Sequence, residues 1–90
     1  MKLFIDYQKE CPIGWTRIIT AEDALIWLAF GTVKEISLPA NELGLEVAKH
    51  IADSAKNTTL PRLKWYIHAT DSQQRAVIEK LLRQADQFWG

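Results

Sequence analysis

Four short apolar runs, spaced so that each gap holds either a loop or one helix, limit the fold of this chain more than any other feature. Leu3-Phe4-Ile5 is continuous rather than alternating, as in a strand covered on both faces. Pro12 and Gly14 punctuate a loop before a second run, Trp15 to Ile19. Thr20, followed by Glu22 and Asp23, provides an N-cap and an acidic first turn, so a helix is predicted to about Phe30, with Gly31 as its stop. Val33 to Leu38 is the third strand and Pro39 ends it. Asn41 caps a second helix on which Val47, Ala48 and Ile51 recur at helical spacing, until Asn57-Thr58-Thr59 and Pro61 break it. Leu63 to His68 is the fourth strand. Thr70 with Gln73, or Asp71 with Gln74, then caps a terminal helix whose apolar face is Val77, Ile78, Leu81, Leu82, Ala85 and Phe88.

The order β-β-α-β-α-β-α predicts one α/β domain over residues 1–90, with a mostly parallel sheet joined by right-handed crossovers. The expected architecture is a compact three-layer sandwich, with four strands in the order 2-1-3-4 and helices on both faces. Eleven basic residues balance eleven acidic ones, which argues against a nucleic-acid partner. Cys11 is the only cysteine, so no internal disulfide forms and a reducing cytoplasm is the expected setting. Asp6 interrupts the first apolar run too early for a signal-peptide core, and no apolar stretch nears the roughly 18 residues of a membrane span.

In open parallel sheets, ligands bind beyond the carboxyl ends of the strands. Three of the runs end at Asp6-Tyr7-Gln8-Lys9, Pro39-Ala40-Asn41-Glu42 and His68-Ala69-Thr70-Asp71. One carboxylate, one amide and one imidazole are the residues from which chemistry can be argued there.

Leu3-Phe4-Ile5-Asp6, Cys11-Pro12-Ile13-Gly14-Trp15, Thr20-Ala21-Glu22-Asp23-Ala24, Glu35-Ile36-Ser37-Leu38, Val47-Ala48-Lys49 and Lys64-Trp65-Tyr66-Ile67-His68 follow one another in that order. Together they resemble the cyclic-phosphate-processing receiver-like domain, a compact relative of the response-regulator receiver that is common in phages. The resemblance implies a receiver-like, flavodoxin-type fold and an origin in a phage, with action in the host cytoplasm. Such domains typically carry Asp-Asp-x-Arg after the first strand, Asp-His-Asp after the third, and His-Ser with a nearby Arg after the fourth. This chain keeps Asp6 but has Tyr7 in place of the second acid and Lys9 in place of the arginine. Pro39, Ala40 and Asn41 stand at the Asp-His-Asp positions, and the receiver's phospho-acceptor aspartate has no equivalent. His68 matches, Ala69 replaces the serine, and Arg75 is aligned with the downstream arginine.

Metal-assisted phosphate chemistry needs two or more oxygen ligands and an open position. Asp6 is one candidate, Glu42 a distant second, and Asn41 a weak neutral donor. The expected function is therefore that of a catalytically degenerate binding protein without a metal or other cofactor. Its partner would be a host or other protein, a second copy of the chain, or a cyclic or other signalling nucleotide at the strand-end crevice. The alternative is a phosphoesterase acting on cyclic phosphates through Asp6 and His68 with Mg2+. The candidate ligand-binding residues are Asp6, Tyr7, Lys9, Asn41, His68, Thr70 and Arg75, helped by helix N-termini near Asn41 and Thr70. Against these stand bland readings: Asp6 bonds its own loop, His68 is a satisfied strand-end histidine, and Arg75 is solvated. His50 has no assigned role, and Cys11 lacks the paired histidine of a nucleophile.

The first helix is apolar nearly all round after its first turn. Ala21, Ala24, Leu25 and Leu28 supply its core face, while Ile26, Ala29 and Phe30 form a second stripe with Trp27 between the two. Exposed, that stripe would present on the order of 300–400 Å² of apolar surface, about where a patch starts to need explaining, and an interface for a second copy or a target protein is one explanation. Covered by Phe88 and Trp89, it would only complete the core.

Overall fold

The computed structural model describes residues 1–68 and 73–90. Its elements are β1 (Lys2–Ile5), β2 (Thr16–Ile18), α1 (Ala21–Ala29), β3 (Glu35–Leu38), α2 (Glu42–Lys56), β4 (Lys64–Ile67) and α3 (Gln73–Trp89). The strands form one sheet in the order β2-β1-β3-β4, every pairing parallel. Leu3 lies opposite Thr16 and Ile36, and Ile36 opposite Trp65, so the expected strand order and direction hold.

The layering differs from the expectation. Parallel crossovers are right-handed. The β2-to-β3 and β3-to-β4 connections both run the same way across the sheet, so α1 and α2 must lie on one face. Only the β1-to-β2 connection runs the other way, and it is a loop without a helix. Side chains from β1, β2, β3 and all three helices accordingly share a single core, in which Leu3, Ile5, Ile36, Leu38, Val47, Ile51, Ile78 and Leu82 are almost completely buried. On the opposite face Phe4 is buried but lies outside that core. The molecule is 19 Å across its shortest axis, room for one sheet and one layer of helices about 10 Å thick. The fold is a receiver-like α/β arrangement in two layers, with one sheet face free of helices.

Local signals act as the sequence implies. Thr20 Oγ1 accepts from the Asp23 amide at 3.1 Å, and Asn41 Oδ1 from the Gly44 amide at 3.1 Å, fixing the starts of α1 and α2. Gly31, at φ 74°, takes the left-handed conformation that stops α1. The proposed caps of α3 at Thr70 and Asp71 lie outside the described residues. The buried face of α3 is narrower than predicted: Ile78, Leu82 and Ala85 are buried, whereas Val77 and Phe88 are half exposed. One sheet face needs only a stripe of i, i+4, i+7 residues, which explains the difference. No helix among the described residues is long and apolar enough to cross a membrane.

Candidate functional site

Asp6 follows directly on β1 and its backbone amide still pairs with Ile18 O at 3.1 Å, so the residue is anchored at the sheet. Its side chain, 6% exposed, turns back into its own loop. Oδ1 accepts from the amides of Gln8 at 2.7 Å and Lys9 at 3.0 Å. Oδ2 meets His68 Nε2 at 2.9 Å. On the other side of the ring, His68 Nδ1 lies 2.7 Å from Ser37 Oγ in the middle of β3. The imidazole stacks on Phe4, with ring centroids 4.3 Å apart and planes inclined by 20°. Asp6, Phe4, Ser37 and His68 thus converge on the helix-free side of the sheet, from three neighbouring strands.

The protonation pattern follows from the donors. A carboxylate only accepts, so His68 Nε2 must carry a proton toward Asp6. Burial works against the charged ring and pulls the His68 pKa below its ordinary value, although the Asp6 carboxylate pulls the other way. The neutral ring therefore accepts from Ser37 Oγ–H through Nδ1. For Asp6, burial raises the pKa, but the Gln8 and Lys9 amides and His68 together outweigh it and leave the carboxyl below its ordinary range. Asp6 is ionised and His68 neutral near pH 7.

The Ser37–His68–Asp6 chain has the residue types of a nucleophilic triad. It lacks the access: Ser37 is 5% exposed and sits mid-strand, so no substrate atom can approach its Oγ. Ser37 was not among the residues singled out from the sequence. The available signal was a lone hydroxyl inside an apolar strand, on the same side of the sheet as His68.

Positive charge surrounds this chain. Lys9 Nζ donates to His68 O at 2.8 Å. Arg17 Nη1 donates to Asp6 O at 2.9 Å and its Nη2 to Lys9 O, tying β2 to the loop that follows β1. Arg75 Nη1 donates to Ile67 O at 3.1 Å, which brings α3 to the end of β4. Among the described residues, neither Lys9 nor Arg17 forms an ion pair with a carboxylate. Arg17 is thus a further cation at the site that sequence reasoning passed over. Tyr7 is 60% exposed beside Asp6. Asn41 is spent as the cap of α2, and Thr70 lies outside the described residues.

A magnesium-like ion would need several free oxygen ligands here. Oδ1 of Asp6 is filled by two amides, its Oδ2 is engaged by His68, and Asn41 Oδ1 is filled by Gly44. Among the described residues no group of three or more His, Cys, Asp or Glu side chains is placed to hold a metal ion. The residues present do not fit such a site.

Of the α1 stripe, Ile26 is 56% and Phe30 66% exposed, Ala29 is exposed, and Trp27 stands edge-on to Phe30 at 5.9 Å. Trp89 instead packs against the core and donates its indole N–H to Leu60 O at 2.9 Å, while Phe88 remains half exposed. The C-terminal aromatics leave the stripe uncovered.

Four parallel strands in this order, three helices, and polar residues gathered at the carboxyl ends of β1 and β4 define a receiver-like domain of the flavodoxin type. The family model for the cyclic-phosphate processing receiver domain matches residues 1–84, and the chain belongs to that family. No curated protein and no solved structure matches it.

Proposed function

We propose that this receiver domain acts by binding a phosphate-bearing ligand at the ends of β1 and β4, without turning it over. The observation that carries the reading is the closed chain of Asp6, His68 and Ser37, whose acceptors and donors are already paired with one another or with the loop. Hydrolysis of a cyclic phosphate would need a base or acid free to reach the phosphoryl group. An anion needs only positive charge and donors, and Lys9, Arg17 and Arg75 supply these from side chains already positioned by backbone carbonyls. A cyclic or other signalling nucleotide is the ligand class that suits both the family and the charge. A phage protein sequestering such a ligand in the host cytoplasm would be the biological setting, by analogy with the family alone.

Incubation with a panel of cyclic nucleotides and Mg2+ or Mn2+, followed by phosphorus NMR, is expected to return every nucleotide unchanged. Inorganic phosphate binding should weaken in Lys9→Ala by several-fold, the loss of one partly screened charge contact. Turnover in the wild type that disappears in His68→Gln would overturn the binding reading in favour of a phosphoesterase.

The exposed stripe of Ile26, Ala29 and Phe30 supports a second, independent role in docking a partner protein. At roughly 300–400 Å² it falls well below the ~800 Å² per partner of a stable interface, so self-association through it alone is not expected. It suits the apolar face of a partner's helix as part of a larger contact. Light scattering should find the wild type monomeric at micromolar concentration. Phe30→Glu should change stability by no more than about 0.5 kcal/mol, since the residue is exposed. A wild-type dimer that Phe30→Glu dissociates would replace the foreign partner with a second copy.

A further inference from the structure

Parallel sheets are ordinarily covered on both faces, and this sheet is covered on one. Its uncovered face carries the alternate residues of each strand: Lys2 and Phe4, Arg17, Glu35 and Ser37, Lys64 and Tyr66. On that face three basic residues, Lys2, Arg17 and Lys64, stand against a single acid, Glu35. The helices carry seven acidic residues and five basic ones. A chain that is neutral overall is therefore polarised, with its positive side on the sheet.

The same face presents flat aromatic groups. Trp15, one residue before β2, reaches across the sheet, and its ring meets that of Tyr66 at 6.0 Å and 72°. The Lys2 ammonium lies 5.6 Å from the Trp15 ring centroid and 3.5 Å from Glu35. Glu35 also accepts from the Tyr66 hydroxyl at 3.0 Å, so the tyrosine is held in place while 39% exposed. Two residues beyond Tyr66 the surface runs into His68 and the strand-end cluster. Three strand spacings by four residues give a face of roughly 14 by 13 Å, in which Phe4 and Ser37 are already buried, Phe4 under the His68 ring, and Lys2, Arg17, Lys64 and Tyr66 remain exposed. The face is the size of one nucleotide, and far short of the ~800 Å² per partner that a second copy would need.

We infer that the helix-free face of the sheet is a platform for the base of a nucleotide, which stacks on Tyr66 and meets Trp15 edge-on while its phosphate sits at Lys9 and Arg17. Aromatic rings accept any base through its π face, and the surrounding lysines favour the anion. The phosphate half rests on the binding reading above; the platform rests on the open face.

Amide-detected NMR titration of the wild type, Tyr66→Ala and Tyr66→Phe separates the two. The ligands are the four ribonucleoside monophosphates, adenosine and inorganic phosphate. The monophosphates are expected to shift signals both at the strand ends, at Lys9 and His68, and on the face, at Lys2, Arg17 and Tyr66. Tyr66→Ala should weaken their binding about tenfold or more, Tyr66→Phe should preserve it, and inorganic phosphate should bind all three alike. Face signals that respond to adenosine while phosphate moves nothing would keep the platform and remove the phosphate reading. Nucleotide shifts confined to the strand ends, with unchanged affinity in Tyr66→Ala, would overturn the platform and leave that reading intact. No response to any nucleotide, or face signals that broaden with protein concentration alone, would overturn it as well.

Discussion

Gly44→Ala is expected to destabilise the protein by about 4 kcal/mol or to prevent folding, an unusually large effect for adding one methyl group. In an exposed helix the same change would stabilise by up to about 1 kcal/mol, because alanine is the better helix former. Here a Cβ at position 44 would lie 1.8 Å from the carbonyl oxygen of Pro39 and 2.9 Å from its carbonyl carbon. Those are backbone atoms at the end of β3, so no side chain can swing aside to make room. Either α2 or the end of β3 must move by more than an ångström. Gly44 has no unusual φ; the position demands glycine because two backbones touch. The contact also bears on function, since it holds Pro39 and the first turn of α2 together beside the strand-end cluster. Urea unfolding followed by tryptophan fluorescence should show the midpoint collapsing, or only insoluble protein. A Gly44→Ala variant as stable as the wild type would mean that α2 is not seated on Pro39 as described.

The strands and their order were legible because their signals are local. Leu3-Phe4-Ile5 has no polar interruption, Pro39 forbids continuation of β3, and Thr20 and Asn41 are unambiguous caps. The layering is less legible, although its cause is in the same string of elements. With no helix between β1 and β2, right-handed crossovers leave nothing to cover the second face. At the site, Asp6 and His68 were found from their place at strand ends, but their union depends on a third partner. Ser37 sits inside a strand that reads as framework, and only the register of Ser37 against Phe4 and Tyr66 puts its hydroxyl on the side of His68. Arg17 was overlooked for a related reason. Its role is a bond to the backbone of residues 6 and 9, and a contact to a carbonyl oxygen leaves no residue-type signature. The narrow buried stripe of α3 follows from the same missing layer, because a helix packed on one sheet face has no use for Val77 or Phe88 in the core.

Asp6→Ala is expected to cost about 3 kcal/mol, and Asp6→Asn only about 1 kcal/mol. Alanine leaves the Gln8 and Lys9 amides and the His68 Nε2–H without their acceptor. Asparagine keeps an oxygen for the two amides and turns an N–H toward His68. The imidazole can then shift its proton to Nδ1, accept at Nε2, and donate to Ser37 Oγ, which leaves the Ser37 hydroxyl hydrogen, formerly bonded to Nδ1, as the group that loses its acceptor. The pH dependence carries its own signature. Burial holds folded His68 below its ordinary pKa, so the unfolded chain takes up a proton first as pH falls below about 6.5. Stability from this residue is complete above that value and is lost as pH falls through the folded pKa, at up to about 1.4 kcal/mol per pH unit. Asp6, also below its ordinary range, adds a second loss that begins below about pH 4 and continues through its own folded pKa. His68→Gln should flatten the limb below pH 6.5 and leave the lower one. Asp6→Ala should reduce the lower limb, to which Glu35, held below its ordinary range by the Tyr66 hydroxyl, still contributes, and should steepen the upper, since the carboxylate that favoured the charged ring is gone. Urea midpoints measured for the three proteins from pH 8 to pH 3 would test this. An unchanged slope in His68→Gln would mean that the imidazole is not buried neutral between Asp6 and Ser37, and would return it to the set of groups free for acid–base chemistry.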